Sequence, residues 1–323
     1  AVEAGCVAVL AWLTLRGLDS VMPIFAILLL FGIARAFYGP AANSLVANLV
    51  PTKELPGAVA LNTASWQTAT IVGPVAGGLL YGLAAPAAYG AAFGLLILAT
   101  GLVLLVPRPK KRDLPPAVDW STVLAGFRYI GSNRVVLGAI SLDLFAVLLG
   151  GATALLPVYA RDILELGPWG LGMLRAAPGV GAISVALYLA SRPIRDRAGT
   201  VLFVFVAAFG FSTAVFGLSS VVWLSIIALV LVGATDMVSV YVRETLIQVW
   251  TPDEVRGRVN AVNMVFIGAS NELGEFRAGV MAAWTGAVFA VTFGGIGTMA
   301  VAGLWARWFP ELRAIRSLDG AGR

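Results

Sequence analysis

Histidine is absent from the 323 residues, cysteine occurs once, and only 12% of the side chains are charged. Without histidine the chain lacks the commonest metal ligand, the base of a Ser-His-Asp triad and the usual physiological proton shuttle. A lone Cys6 permits neither an internal disulfide nor a thiolate cluster. No nucleophile–base pair, metal cluster or phosphate loop stands out, so the residues predict neither an enzyme nor a cofactor or metal site. The scarcity of charge excludes more. Soluble domains carry roughly 25% charged residues, and half of that cannot coat a globule of this size.

What fills the space is hydrocarbon. The chain is 59% hydrophobic, with a mean hydropathy of +0.90. Charge is missing from 53 consecutive residues at Leu55–Pro107, from 38 at Ala198–Thr235 and from 29 at Ala278–Ala306. A bilayer-crossing helix needs about 20 apolar residues, so the chain reads as an all-α polytopic membrane protein with the lipid bilayer as its first partner. Apolar runs between breakers predict ten spans, at about 2–16, 20–42, 56–81, 85–106, 135–160, 169–191, 199–219, 221–249, 259–283 and 286–307. The one long connection, 107–134, contains Pro107, Pro109, Pro115 and Pro116, which disfavour continuous helix. Its end, from Trp120 to Ile130, is suited to a short amphipathic helix on the membrane surface. The expected organisation is a bundle over 1–106, a linker over 107–134 and a six-helix bundle with a short tail over 135–323.

Basic residues set the orientation. With 107–134 in the cytoplasm and alternating sides, sixteen Lys and Arg are cytoplasmic and only Arg16 and Arg161 face the other way, as the positive-inside rule requires. The net charge of +5 therefore reports topology, not nucleic-acid binding, and both ends of the chain are expected in the cytoplasm.

Displaced by 201 residues, the chain aligns with itself without a gap. Between 28 and 78 nine of 51 positions are identical, including Gly32 on Gly233, Pro51 on Pro252, Asn62 on Asn263 and Gly73 on Gly274. Spans two and three thus read as copies of spans eight and nine, the parallel-repeat plan of one large transporter class. Six spans follow the linker and four precede it. That count predicts two further helices ahead of Ala1, a position without an initiator Met.

Several segments resemble the major facilitator superfamily. Arg35-Ala36-Phe37-Tyr38-Gly39-Pro40-Ala41-Ala42 is similar to that family's fourth-helix pattern, with Tyr38 in the place of Gln. Gly73-Pro74-Val75-Ala76-Gly77-Gly78 looks like its fifth-helix antiporter motif, with Ala69 in place of the motif's first Gly. The stretches Leu142–Gly151 and Asn271–Phe276 resemble, more narrowly, the enterobactin-exporter-like branch. Arg192, Asp196 and Arg197 lie in a degenerate copy of the family's gating loop. The resemblance implies ten of twelve helices of a major facilitator fold, located in the bacterial inner membrane. It also implies export of a small amphipathic or siderophore-like molecule by proton antiport, by a monomer. An importer or symporter of the same fold, and a non-transporting sensor or inactive fragment, remain the alternatives. Gly73, Gly77 and Gly78 equally suit close helix packing, and Pro74 a kink.

Charges inside spans are the sharpest candidates, because each costs at least about 2.5–3.5 kcal/mol at bilayer depth. Asp143, Asp236, Glu272 and Glu275 are candidate proton carriers, since carboxylates must do any side-chain titration near neutral pH here. Arg35 and Arg175 are candidate cavity cations, and Arg277 also falls within a span. Asp143 lies about 13 Å along its helix from Arg134 at 1.5 Å per residue, near the midplane. Glu272 and Glu275 share a helix face. A cysteine at position 111, in a Cys6→Ser background, is expected to react with an impermeant maleimide only from the cytoplasmic side. Labelling from the periplasm alone would contradict the orientation.

Overall fold

A computed structural model describes residues 1–16, 21–49, 55–106, 120–194 and 196–318. Among these residues the chain is helical without a strand. It divides into two compact units, Ala1–Pro115 and Pro116–Arg323.

The first unit contains α1 (Val2–Arg16), α2 (Met22–Leu49), α3 (Leu55–Leu83) and α4 (Ala85–Leu105). Each coincides with an apolar run bounded by turn-forming or charged residues. Pro86 starts α4 where its missing N–H costs nothing. Pro74 sits within α3. Ala4, Cys6 and Val7 of α1 are buried, and α1 packs on α4 and α2. Large apolar side chains such as Leu83, Leu104 and Leu105 are largely uncovered by protein, which suits a lipid-facing surface.

The second unit begins with α5 (Trp120–Ser132), inside the segment expected to be linker. Its C-terminal part packs onto the unit. Ile130 is buried with Val136, Ile140, Ile247, Val259 and Val262, Phe127 meets Phe266 edge-on at 5.8 Å, and the Tyr129 hydroxyl donates to the Trp250 carbonyl at 2.5 Å. A helix is therefore present there, and its C-terminal residues Phe127, Tyr129 and Ile130 contact the bundle. Asn133 caps α6 (Arg134–Gly150) by accepting from the Val135 and Val136 amides. After Gly150 the chain breaks. A 3-10 turn at Thr153–Leu155, a short α7 (Leu156–Val158) and a π-turn at Tyr159–Ile163 complete the span. Then follow α8 (Pro168–Ser191), α9 (Ala198–Leu218), α10 (Val222–Trp250), α11 (Asp253–Thr285), α12 (Ala287–Trp308) and the short α13 (Pro310–Arg313).

Among the described residues six helical stretches are long and apolar enough to cross a membrane: Pro86–Leu105, Arg134–Ile163, Pro168–Ser191, Ala198–Leu218, Val222–Trp250 and Ala287–Trp308. Met22–Tyr38 and Val72–Leu83 are apolar but shorter.

Two apolar cores hold the second unit, stacked along the helix axes. One joins Val135, Leu142 and Ala146 of α6 to Leu202 and Val206 of α9, Val242 and Leu246 of α10, and Trp305 of α12. The other joins Leu155, Leu156 and Tyr159 beyond the break to Leu174 of α8, Phe216 of α9, Leu229 of α10 and Val291 of α12. Helices within them approach at glycine, as small-residue packing in membranes predicts. A Cβ on Gly233 would collide with the backbone of Pro178, and one on Gly181 with that of Val230, so α8 and α10 touch backbone to backbone. Gly233→Leu is expected to destabilise the protein by at least about 1–3 kcal/mol, the usual cost of overpacking. Gly303→Leu, where a Cβ meets nothing within 4 Å, is expected to be neutral. Thermal melting of the purified variants checks both.

Candidate functional site

Within the first of these cores lies a polar layer built by α6 and α10. Asp143, at 8% exposure, is enclosed where the apolar stripe of α6 faces α9, α10 and α12. On α10, Asp236, Ser239 and Arg243 recur at i, i+3 and i+7, which sets them on one face of that helix. Arg243, at 4% exposure, donates from Nη1 to the Asp143 Oδ1. Its Nε lies 3.8 Å from Glu244 Oε1, and Glu244 in turn accepts from Asn263 Nδ2 of α11 at 3.0 Å.

Beside this pair is a small open cavity lined by Asp143, Ala146, Val147, Val206, Phe209, Asp236 and Ser239. Both carboxylates therefore face one space, and Asp236 feels the charges of Asp143 and Arg243. Three carboxylates, Asp143, Asp236 and Glu244, surround one guanidinium, so acids outnumber bases in this layer. Such a layer can accept a proton or a cationic group without any further buried counter-ion.

The other expected residues fall elsewhere. Glu272 and Glu275 of α11 are on surface uncovered by this unit. Glu275 lies within electrostatic reach of Glu272 and of Arg175 on α8. Arg175 is exposed, and the arginine that meets Asp143 is Arg243, not Arg175. Arg35 is exposed on α2 of the first unit. Arg277 donates to carbonyls of α6. Gly73 and Gly77 follow one another on α3, and a Cβ on either meets nothing within 4 Å among the described residues. Pro74 and Gly78 are half-buried on the same helix. In the gating loop Arg192, Asp196 and Arg197 are exposed. Arg197 takes a left-handed backbone with φ of 55°, and the amides that follow it, Ala198 and Gly199, donate to the Arg316 and Ile315 carbonyls of the C-terminal segment. Among the described residues no group of three or more Cys, Asp or Glu is placed to hold a metal ion.

Arg243 and Glu244 lie inside a span in the sequence and were not among the expected site residues. The i, i+7 spacing of Asp236 and Arg243 is the signal that points to them.

Comparison with known proteins identifies the family. Residues 1–321 match the model of a major facilitator family described as transmembrane secretion effector. The chain belongs to that family. The enterobactin exporter EntS of Citrobacter koseri is 27% identical over 277 residues, covering 83% of this chain and 64% of the exporter. The same exporter from Shigella boydii is 26% identical with the same coverage. The chain thus spans 64% of the length of these curated relatives. A solved structure of a bacterial metal transporter aligns with a TM-score of 0.63 over 97% of this chain and 83% of that one, at 14% identity. This likeness shows the transporter fold. This member of the secretion effector family is a multi-pass helical membrane protein, with its buried charge concentrated between α6 and α10.

The two partners of the ion pair are not equivalent. Removing Arg243 strands Asp143 and Asp236 without a cation, while removing the Asp143 charge leaves Arg243 with Asp236 and Glu244. Arg243→Met is therefore expected to cost about 3–5 kcal/mol, the range for breaking a buried pair, and Asp143→Asn distinctly less. Adding Asp143→Asn to Arg243→Met is expected to recover part of the loss. Unfolding of the three variants in mixed micelles measures the asymmetry.

Proposed function

We propose that the full-length transporter is a secondary active exporter of the bacterial inner membrane. It moves a small amphipathic or siderophore-like molecule outward against inward proton flow, by alternating access and as a monomer. The observation that carries this reading is the Asp143–Arg243 pair beside a cavity shared with Asp236. Its two export relatives named above support the direction of transport. The full chain is read as twelve spans in two six-helix bundles. Ten of the spans fall within these residues, four over 1–106 and six over 135–323, with a cytoplasmic linker at 107–134 and both ends of this chain cytoplasmic. Helices α2 and α10 begin at Met22 and Val222 and end at Leu49 and Trp250, an offset of 200 to 201 residues that agrees with the sequence repeat.

In the cycle, a proton arriving at the cavity neutralises Asp143 or Asp236 and weakens the hold on Arg243. Release of that link lets α6 and α10 shift relative to one another, and substrate competes with the proton for the polar layer. Glu272 and Glu275, with Arg175 nearby, form a second carboxylate site on the route. Arg35 supplies a cation from the first bundle. Gly73, Pro74, Gly77 and Gly78 serve as the antiporter motif of the first bundle. Arg192, Asp196 and Arg197 act as the cytoplasmic gating loop.

In everted vesicles carrying an imposed pH gradient, with enterobactin as the first probe, Asp143→Asn and Asp236→Asn are expected to lower gradient-driven uptake at least about tenfold, the usual weight of a positioned proton carrier. Glu272→Gln and Glu275→Gln are expected to reduce it less. Wild-type rates in all four variants, with a substrate that the parent transports, would make these charges structural and the coupling assignment wrong.

A further inference from the structure

The apolar span Arg134–Ile163 is not one helix. α6 stops at Gly150, Gly151 takes a ψ of 107°, and the chain re-enters helical geometry only at Thr153. Stopping a helix inside a membrane frees its last carbonyls where water cannot reach them, and each must find a donor in the protein. Arg277 supplies the donors for the first two carbonyls freed, and the two before them are bonded as well. Ala146 accepts from the Thr298 hydroxyl of α12 at 2.9 Å and Val147 from the Gly151 amide at 3.0 Å. Leu148 accepts from Arg277 Nε at 2.9 Å and Leu149 from Arg277 Nη2 at 2.6 Å. One guanidinium thus closes two adjacent carbonyls in a fork that only arginine offers, at the helix end whose dipole favours a cation.

The surroundings are shaped to admit it. A Cβ on Gly274 would sit 2.9 Å from the Val147 carbonyl oxygen, and one on Gly294 would collide with that of Leu149 while standing 3.2 Å from Arg277 Nη2. Glycine on α11 and α12 therefore brings both helices against the open end of α6. The break also falls at the boundary between the two apolar cores. Leu142 and Ala146 before it belong to one, and Leu155, Leu156 and Tyr159 after it to the other. Asp143 lies two turns before the break, on the segment that Arg277 holds.

We infer that Arg277 is a positioning residue for transport. Its guanidinium clamps the open end of α6, fixes the segment that carries Asp143, and makes Gly150–Ala152 a hinge about which Thr153–Ile163 moves separately. The role in transport rests on the alternating-access reading above, whereas the clamp itself is tested without it. Loss of the fork is expected to loosen the break and leave the cores on either side intact.

Hydrogen exchange of the full-length transporter in nanodiscs, followed by mass spectrometry, compares the parent with Arg277→Met and Arg277→Lys. Amides within 148–158 are expected to exchange about tenfold faster or more in Arg277→Met, as local opening follows from two lost charge-assisted bonds. Amides of Leu202–Val206 and Val242–Leu246 should keep parental rates. Arg277→Lys, which keeps the charge but not the fork, should fall between the two. Enterobactin efflux should decline in the same order. Unchanged exchange at 148–158, or an equal rise in every peptide, would overturn the clamp. Should Arg277→Met fail to accumulate, Arg277→Lys decides the matter by whether its rise is confined to 148–158. The clamp stands if exchange behaves as described while the Asp143→Asn transporter still couples to the pH gradient; only the coupling assignment then falls.

Discussion

The salt bridge from Arg243 to Asp143 is the interaction on which the second unit is organised. Taking two charges out of water in a membrane is costly, and their attraction offsets that cost only with close geometry and further hydrogen bonds. The protein meets this condition by putting the acid on α6, the base on α10, and Glu244 and Asn263 behind the base. Leu142 and Ala146 of α6 and Val242 and Leu246 of α10 pack around the pair. Because Asp236 opens on the same cavity, the pair is not closed on itself. Asp143, Asp236 and Glu244 outnumber the one arginine, so the cluster carries an excess of acid.

Backbone geometry supports that cluster from outside the layer. An unbroken α6 would carry one rigid rod through both cores. The interruption after Gly150 separates the half that bears Asp143 from the half that anchors Leu155 and Tyr159. Discontinuous helices at the midplane are a recurrent feature of transporters, tolerated where protein groups satisfy the freed carbonyls. Arg277 does this here for Leu148 and Leu149. Backbone contact between α8 and α10 at Gly181 and Gly233 meanwhile leaves little slack behind α10, so a change in the Arg243 link has few directions in which to relax.

Much of this was legible in the residues. Uncharged runs located the helices closely, since in lipid an apolar stretch has almost no alternative to helix; α8, for example, begins at Pro168 against an expected 169. Asp143 was legible for the same reason, as a lone acid in an apolar run. Its partner was not. Arg243 and Arg175 both lie within spans, and a sequence gives axial position but not which face meets which neighbour. The break in α6 was hidden because Gly150-Gly151 followed by Thr153 keeps the hydropathy high. Arg277 reads as an isolated charge until the carbonyls it closes are seen. Glu272 and Glu275 were read as buried from their apolar context, yet they lie on surface that this unit does not cover. Hydropathy cannot distinguish a face packed within its own bundle from one that is not.

Infrared difference spectroscopy tests the central claim most directly, because a buried protonated carboxyl has a carbonyl stretch of its own. In the parent, a pH step from acid to neutral should remove a protonated-carboxyl band, and that band should be lost or displaced in Asp143→Asn. The Asp236→Asn spectrum should be altered as well, since both acids share Arg243 and one cavity. Spectra that are the same in the parent and in both variants would contradict the account, for they would mean that neither carboxyl exchanges a proton and that the Asp143–Arg243 pair is only a strut.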